Sequence, residues 1–119
     1  TEGKIPWEQV QPRDERVVAA CDCIIDLAAA LFGVPGRELR RPGRCPDEIS
    51  RARQIAMYVA HVVLRLNMTE LGRGFGRDRT TVMHACHLIE DMRDDADFDR
   101  IVSRTERIVE AAFRGREPF

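Results

Sequence analysis

Apolar residues recur at helical spacing along almost the whole chain. From Arg13 to Phe32, the residues Val17, Cys21, Ile24, Ala28 and Leu31 fall on one stripe, which Val18, Ile25 and Phe32 widen. Gly33 supplies a C-terminal stop and Pro35 stands just beyond it. Arg37 to Arg41 predicts a short turn of helix with Leu39 inward, and RPGRCP, residues 41–46, predicts a loop through its prolines and glycine. The next helix starts near Asp47 or Ser50 and runs to about Leu66. Its core face holds Ile55, Val59, Val62 and Leu66, with Ala56 and Val63 beside them. Asp97 is placed to cap a last helix that reaches about Phe113, with Phe98, Ile101, Val102, Thr105, Ile108, Val109 and Ala112 in a heptad-like stripe. This helix either closes the core or forms a dimer seam.

Between these helices, Thr69 to Met92 reads as two short helices joined by a glycine-rich bend. Thr69 is a candidate N-cap, Glu70 and Leu71 open the first helix, and Gly72, Gly74 and Gly76 loosen and end it. The second helix begins near Thr80, with Asp78 and the two threonines as cap candidates. Val82, Ala85, Cys86 and Ile89 form its apolar stripe, while Thr80, His84, His87 and Asp91 face away. Arg77, Asp78, Arg79, Thr80 and His84 therefore gather at its N-terminal end. A helix-turn-helix protein reads bases from that end of its recognition helix. The predicted fold is all-α: a compact bundle of about six helices containing a helix-turn-helix.

Length fits one domain, since 119 residues bury a core without staples. Residues 1–12 read as a flexible tail whose Trp7 either packs on the domain or anchors a partner, and 13–119 as the single domain. The chain has no initiator Met, which is consistent with processing, trimming or excision from a longer protein. No apolar run is long enough to span a membrane, and the charged start is not a signal peptide, so a cytoplasmic, nucleoid-associated location is expected.

Net charge is −1, but the charge is unevenly spread. Ten arginines face five acids from Arg37 to Arg79, a local +5, whereas six acids face one arginine from Glu90 to Asp99, a local −5. Lys4 is the single lysine among 19 basic residues, so arginine supplies the rest; it suits bidentate contacts to phosphate and guanine, although a GC-rich coding sequence gives the same bias.

The four cysteines form no disulfide framework. Cys21 and Cys23 point to nearly opposite sides of a helix, and Cys86 faces the core while His84 and His87 face out, so buried free thiols are expected and no metal site. No catalytic residue or cofactor is expected either. The glycines follow no strand and no G-x-x-x-x-G-K-[ST] loop exists, and no nucleophile is held against His84, His87 and Asp91. GRGFGR, superficially an RNA-binding arginine-glycine patch, is better read as the bend.

ELGRGFGRDRTTVMHAC resembles the signature of the DNA-binding domain of the chromosomal replication initiator DnaA, roughly E-I-G-x-x-F-G-G-R-D-H-T-T-V-x-H-A-C. SRARQIAMYVAHVVL upstream and HLIEDM downstream are similar to that family's flanking segments, so the match covers Ser50 to Met92. The bend is one glycine shorter, Arg79 replaces a histidine, Ala52 replaces a proline, and His61 stands where some members carry a basic residue. The resemblance implies that Asp78, Arg79, Thr80, Thr81, Met83 and His84 lie in the major groove. It implies Arg53 in the minor groove, and Arg51, His61, Thr69, Arg73 and Arg77 on phosphates.

The function expected first is sequence-specific binding of double-stranded DNA at DnaA-box-like sites in origins or promoters. It would regulate replication initiation or transcription without ATPase activity. A module that works through contacts with the initiator or its regulators is the second expectation, supported by the acidic block, the Trp7 tail and the altered bend. Excision from a complete initiator is a third. No membrane partner is expected, and the chain is expected to be a monomer or a weak homodimer.

Overall fold

A computed structural model describes residues 12–43 and 45–115 of the chain. Most of the expected N-terminal tail, the packing of Trp7 and the role of Arg44 lie outside the described residues. The described residues form α1 (Arg13–Phe32), α2 (Gly36–Arg40), α3 (Asp47–Leu64), α4 (Met68–Phe75), α5 (Arg79–Met92) and α6 (Ala96–Phe113), with no strand among them. None of these helices is long and apolar enough to cross a membrane.

Three helices start directly after a proline. The Pro12, Pro35 and Pro46 carbonyls accept the first helical bonds, and the ring fixes φ without wasting a donor. Asp14, Glu15, Asp47 and Glu48 then sit in first turns, where carboxylates oppose the positive end of the helix dipole. Gly33 ends α1 in the left-handed conformation, as expected.

α3 is the centre of the bundle and packs against α1, α2, α4, α5 and α6. That position explains why every residue from Ile55 to Ala60 is buried, rather than one stripe. It also explains a miss: Val62 lies past the cover, where α6 alone flanks the last turn, and is exposed. α3 stops at Leu64 because Arg65 adopts φ 59°, and the chain then folds Leu66 back into the core. Val18, Leu31, Ile101 and Ala112, expected inward, are exposed as well. On α6 only Val102, Thr105 and Val109 are fully covered, because α6 packs chiefly on α3.

Two caps differ from expectation. Asn67 rather than Thr69 caps α4: its Oδ1 accepts from Glu70 N at 2.8 Å, and its own N–H donates to Glu70 Oε1 at 3.1 Å. The spacing of three between Asn67 and Glu70 is the capping-box signature. Asp95 precedes α6, so Asp97 falls in its first turn and pairs with Arg100. Cys21 and Cys86 are buried, and burial pushes their thiols up to about 12 and about 11. Cys23, expected to be buried, is exposed on the outer side of α1, and Cys45 is half-buried.

Candidate nucleic-acid interface

Close backbone approach, rather than looseness, explains the glycines of α4. A Cβ on Gly74 would lie 2.3 Å from Cys21 Sγ, and one on Gly72 would lie 2.8 Å from the Arg77 carbonyl. Gly74 thus seats α4 on α1, and Gly72 lets the chain cross back toward α5. Only Gly76 ends the helix, at φ 66°, with its N–H on the Gly72 carbonyl. Glu70 is buried, and its carboxylate accepts from Arg13 Nε at 2.6 Å. The Arg13 bond, opposed by burial, holds its carboxyl below the usual range.

Residues Gly76, Arg77 and Asp78 make the bend, and α5 opens at Arg79 with Asp78 as N-cap. Val82, Ala85, Cys86 and Ile89 dock α5 onto the core, as their spacing predicts. Asp78, Arg79, Thr80, Thr81 and His84 are all exposed, and no described residue takes a hydrogen bond or ion pair from their side chains. Even the Asp78 carboxylate makes no capping bond. Met83 is half-buried at the edge of this face.

Arg53 is partly committed to the fold. Its side chain is buried, at 9% exposure, and donates to the Leu39 carbonyl at 2.9 Å and the Glu38 carbonyl at 3.2 Å. These are carbonyls at the C-terminal end of α2; the Glu38 carbonyl also accepts from the Arg41 N–H, and the Arg53 bonds complete the end of this short helix. The Nη1 of Arg53 takes part in none of these bonds, and Arg53 borders the cleft lined by Thr81 and His84. Arg77 is half-buried beside it and donates to the Arg41 carbonyl at 2.6 Å, while its Nε is buried without a partner. Burial, and then the charge of Arg53, lower the Arg77 pKa from its ordinary value. Two arginines therefore hold the loop after α2 against the start of α5.

The remaining expected contacts are dispersed. Arg51 donates to Gln54 Oε1 at 2.8 Å, and Arg73 pairs with Asp14 at 2.8 Å on the exposed side of α4. Thr69 is exposed in the first turn of α4. His61 stands at the opposite end of α3 from Arg51, with its Nδ1 donating to the Leu66 carbonyl at 2.7 Å. Ser50 and Gln54, not anticipated from the sequence, line one cleft with Thr81 and His84. Their spacing of four puts them on one side of α3, a signal that was present but unused. Arg41 is exposed in the loop that Arg53 and Arg77 hold, and pairs with Glu38 at 3.0 Å.

A short helix, a three-residue bend and a second helix with a polar, unpaired N-terminal face define a helix-turn-helix domain. The chain belongs to the bacterial DnaA helix-turn-helix family, whose family model, described as "Bacterial dnaA protein helix-turn-helix", matches residues 21–89. It is 37% identical over 108 residues to the chromosomal replication initiator protein DnaA of Mycobacteroides abscessus, a match covering 89% of this chain and 22% of that relative. The chain thus spans about a fifth of the length of that curated relative. Among solved structures it is similar to a crystal structure of a DNA replication initiation factor, with TM-score 0.75 and 28% identity, covering 84% of this chain and 31% of the other. A replication initiator DnaA bound to AMPPCP and single-stranded DNA shares the fold, with TM-score 0.73 at 24% identity, over 92% of this chain and 33% of that one.

Proposed function

We propose that this domain binds double-stranded DNA sequence-specifically at DnaA-box-like sites and so regulates replication initiation or transcription. The observation that carries this reading is the set of exposed, unpartnered side chains at the start of α5: Asp78, Arg79, Thr80, Thr81 and His84. Polar groups left open to water on a rigid helix are available to base edges. Arg79 suits the O6 and N7 acceptors of guanine, and a threonine methyl suits the thymine methyl. The helix N-terminus adds a positive field toward the phosphates.

Arg51, Arg73 and Arg41 supply phosphate contacts from α3, α4 and the loop after α2, and Thr69 and His61 are the more distant phosphate contacts. Arg53 and Arg77 act as positioning residues that fix the loop carrying Arg41. The exposed acids Glu90, Asp91, Asp94 and Asp95 lie at the other end of α5, where they repel phosphate and give the domain a preferred orientation. The 119 residues contain no nucleotide-phosphate loop, so this part of the protein contributes DNA reading rather than ATP hydrolysis.

Fluorescence anisotropy with a DnaA-box-like duplex and a scrambled duplex tests the proposal. The expected preference is about a thousandfold or more. Weak binding that is equal on both duplexes and vanishes with salt would leave only nonspecific attraction and transfer the role to protein contacts.

A further inference from the structure

On their outer faces, α1 and α6 carry charged stripes of opposite sign. On α1, Glu15, Asp22 and Asp26 recur at helical spacing around Val18 and Ala19. Arg40 lies at the edge of this stripe, 3.3 Å from Asp26, and leaves it net acidic. On α6, Arg100, Arg104, Arg107 and Arg114 make the other stripe, bordered by Ile101. Asp97 and Glu110 are the carboxylates on that side, so it stays net basic. Of the five large apolar side chains exposed among the described residues, two border these faces: Val18 and Ile101. Each helix turns its opposite side to the core, α6 toward α3 and α1 toward α3 and α4. Within one molecule, therefore, neither stripe covers the other.

We propose that the two stripes are the halves of one head-to-tail contact, in which the α1 face of one copy docks on the α6 face of a second copy. Symmetric pairing is disfavoured on either face, because α6 on α6 sets arginines against arginines and α1 on α1 sets carboxylates against carboxylates. Only the heterologous arrangement neutralises both stripes and covers both Val18 and Ile101. Duplex DNA explains the arginines of α6 alone; it gives no use to Ile101 and none to the α1 face. The helices match in length, at about 30 and 27 Å from a rise of 1.5 Å per residue. Such a contact is at the small end of specific interfaces, so the association is weak and sensitive to salt. An unused α1 face and an unused α6 face remain at the ends of each pair, so the contact propagates into a chain of copies.

Sedimentation velocity of the whole chain tests this. The wild type is expected to sediment faster as concentration rises in low salt and to return to a monomer in high salt. Val18→Asn with Asp22→Asn removes the α1 face, and Ile101→Asn with Arg104→Gln removes the α6 face. Each variant alone should lose the concentration-dependent shift, and an equimolar mixture should form a one-to-one dimer and nothing larger. Asp26→Asn and Arg107→Gln repeat the test at exposed charged positions without touching an apolar side chain. The proposal is overturned by a wild type that stays monomeric in low salt, by persistent self-association of either variant, or by a mixture without dimer. Loss of DNA affinity in the α6 variant, without wild-type self-association, would overturn it too and assign the arginines to phosphate.

Discussion

The two ends of α5 are built on opposite principles. At its C-terminal end, Arg93 donates to Asp99 at 2.6 Å, to Glu106 at 2.8 Å, to Ser103 at 2.8 Å and to Tyr58 at 3.2 Å. Tyr58 in turn donates to Glu90 at 2.6 Å, and its ring lies 5.7 Å from the guanidinium carbon. Burial opposes the charge, but the bonds to Glu106, Asp99 and Tyr58 outweigh it and hold the Arg93 pKa above its ordinary value. At the N-terminal end, five polar side chains find no partner in the described residues. One end of the helix is committed to the fold, and the other is left open to solvent. A recognition helix needs both, because a reader that wobbles spends binding energy on becoming ordered.

The contrast can be broken most severely at the closed end. Arg93→Met leaves Asp99 and Glu106 without a cation and should lower stability by about 3 kcal/mol, read from the urea midpoint. An unchanged midpoint would mean that the knot is ornamental. Next in size is Gly74→Ala, which drives a methyl into Cys21 and should cost about 2 kcal/mol. Combining it with Cys21→Ala should restore part of that loss, whereas simple additivity would argue against the clash.

Glu70→Gln tests the first helix of the pair, at about 1 kcal/mol near neutral pH. The folded-state pKa of Glu70 is depressed, so its contribution is complete above the unfolded value of about 4.3 and fades as pH falls through the lower folded value. The gap between wild type and Glu70→Gln should therefore close in acid; a gap constant from pH 7 to pH 3 would remove the carboxylate from the explanation. The smallest effect on stability is expected for Asp14→Asn, because its pairing with Arg73 is exposed. The same change frees Arg73 and should tighten binding to any duplex, with a steeper salt dependence.

Much of this was legible from residue order. The spacing of Val17, Cys21, Ile24 and Ala28, and of Val82, Ala85, Cys86 and Ile89, located two helices and their buried sides. Periodicity failed where the number of neighbours changes along a helix. It could not show that α3 is enclosed as far as Ala60 and open at Val62, or that α6 meets one helix rather than two. The exposed face at the start of α5 was readable as a set of side chains, because Asp78 to His84 lie within one short stretch. The placement of Arg53 and Arg77 was not readable, since it depends on carbonyls at the end of α2 and in the loop after it that only the tertiary fold brings beside them. A basic side chain looks the same in sequence whether it caps a helix or awaits a phosphate.

The most direct measurement compares the specificity ratio of Arg79→Ala with that of Arg51→Ala, using anisotropy titrations on DnaA-box-like and scrambled duplexes at matched salt. If the open end of α5 reads bases, Arg79→Ala collapses the ratio by about 1–3 kcal/mol while Arg51→Ala weakens both duplexes equally and keeps it. Equal losses on both duplexes for both variants would contradict base reading by α5.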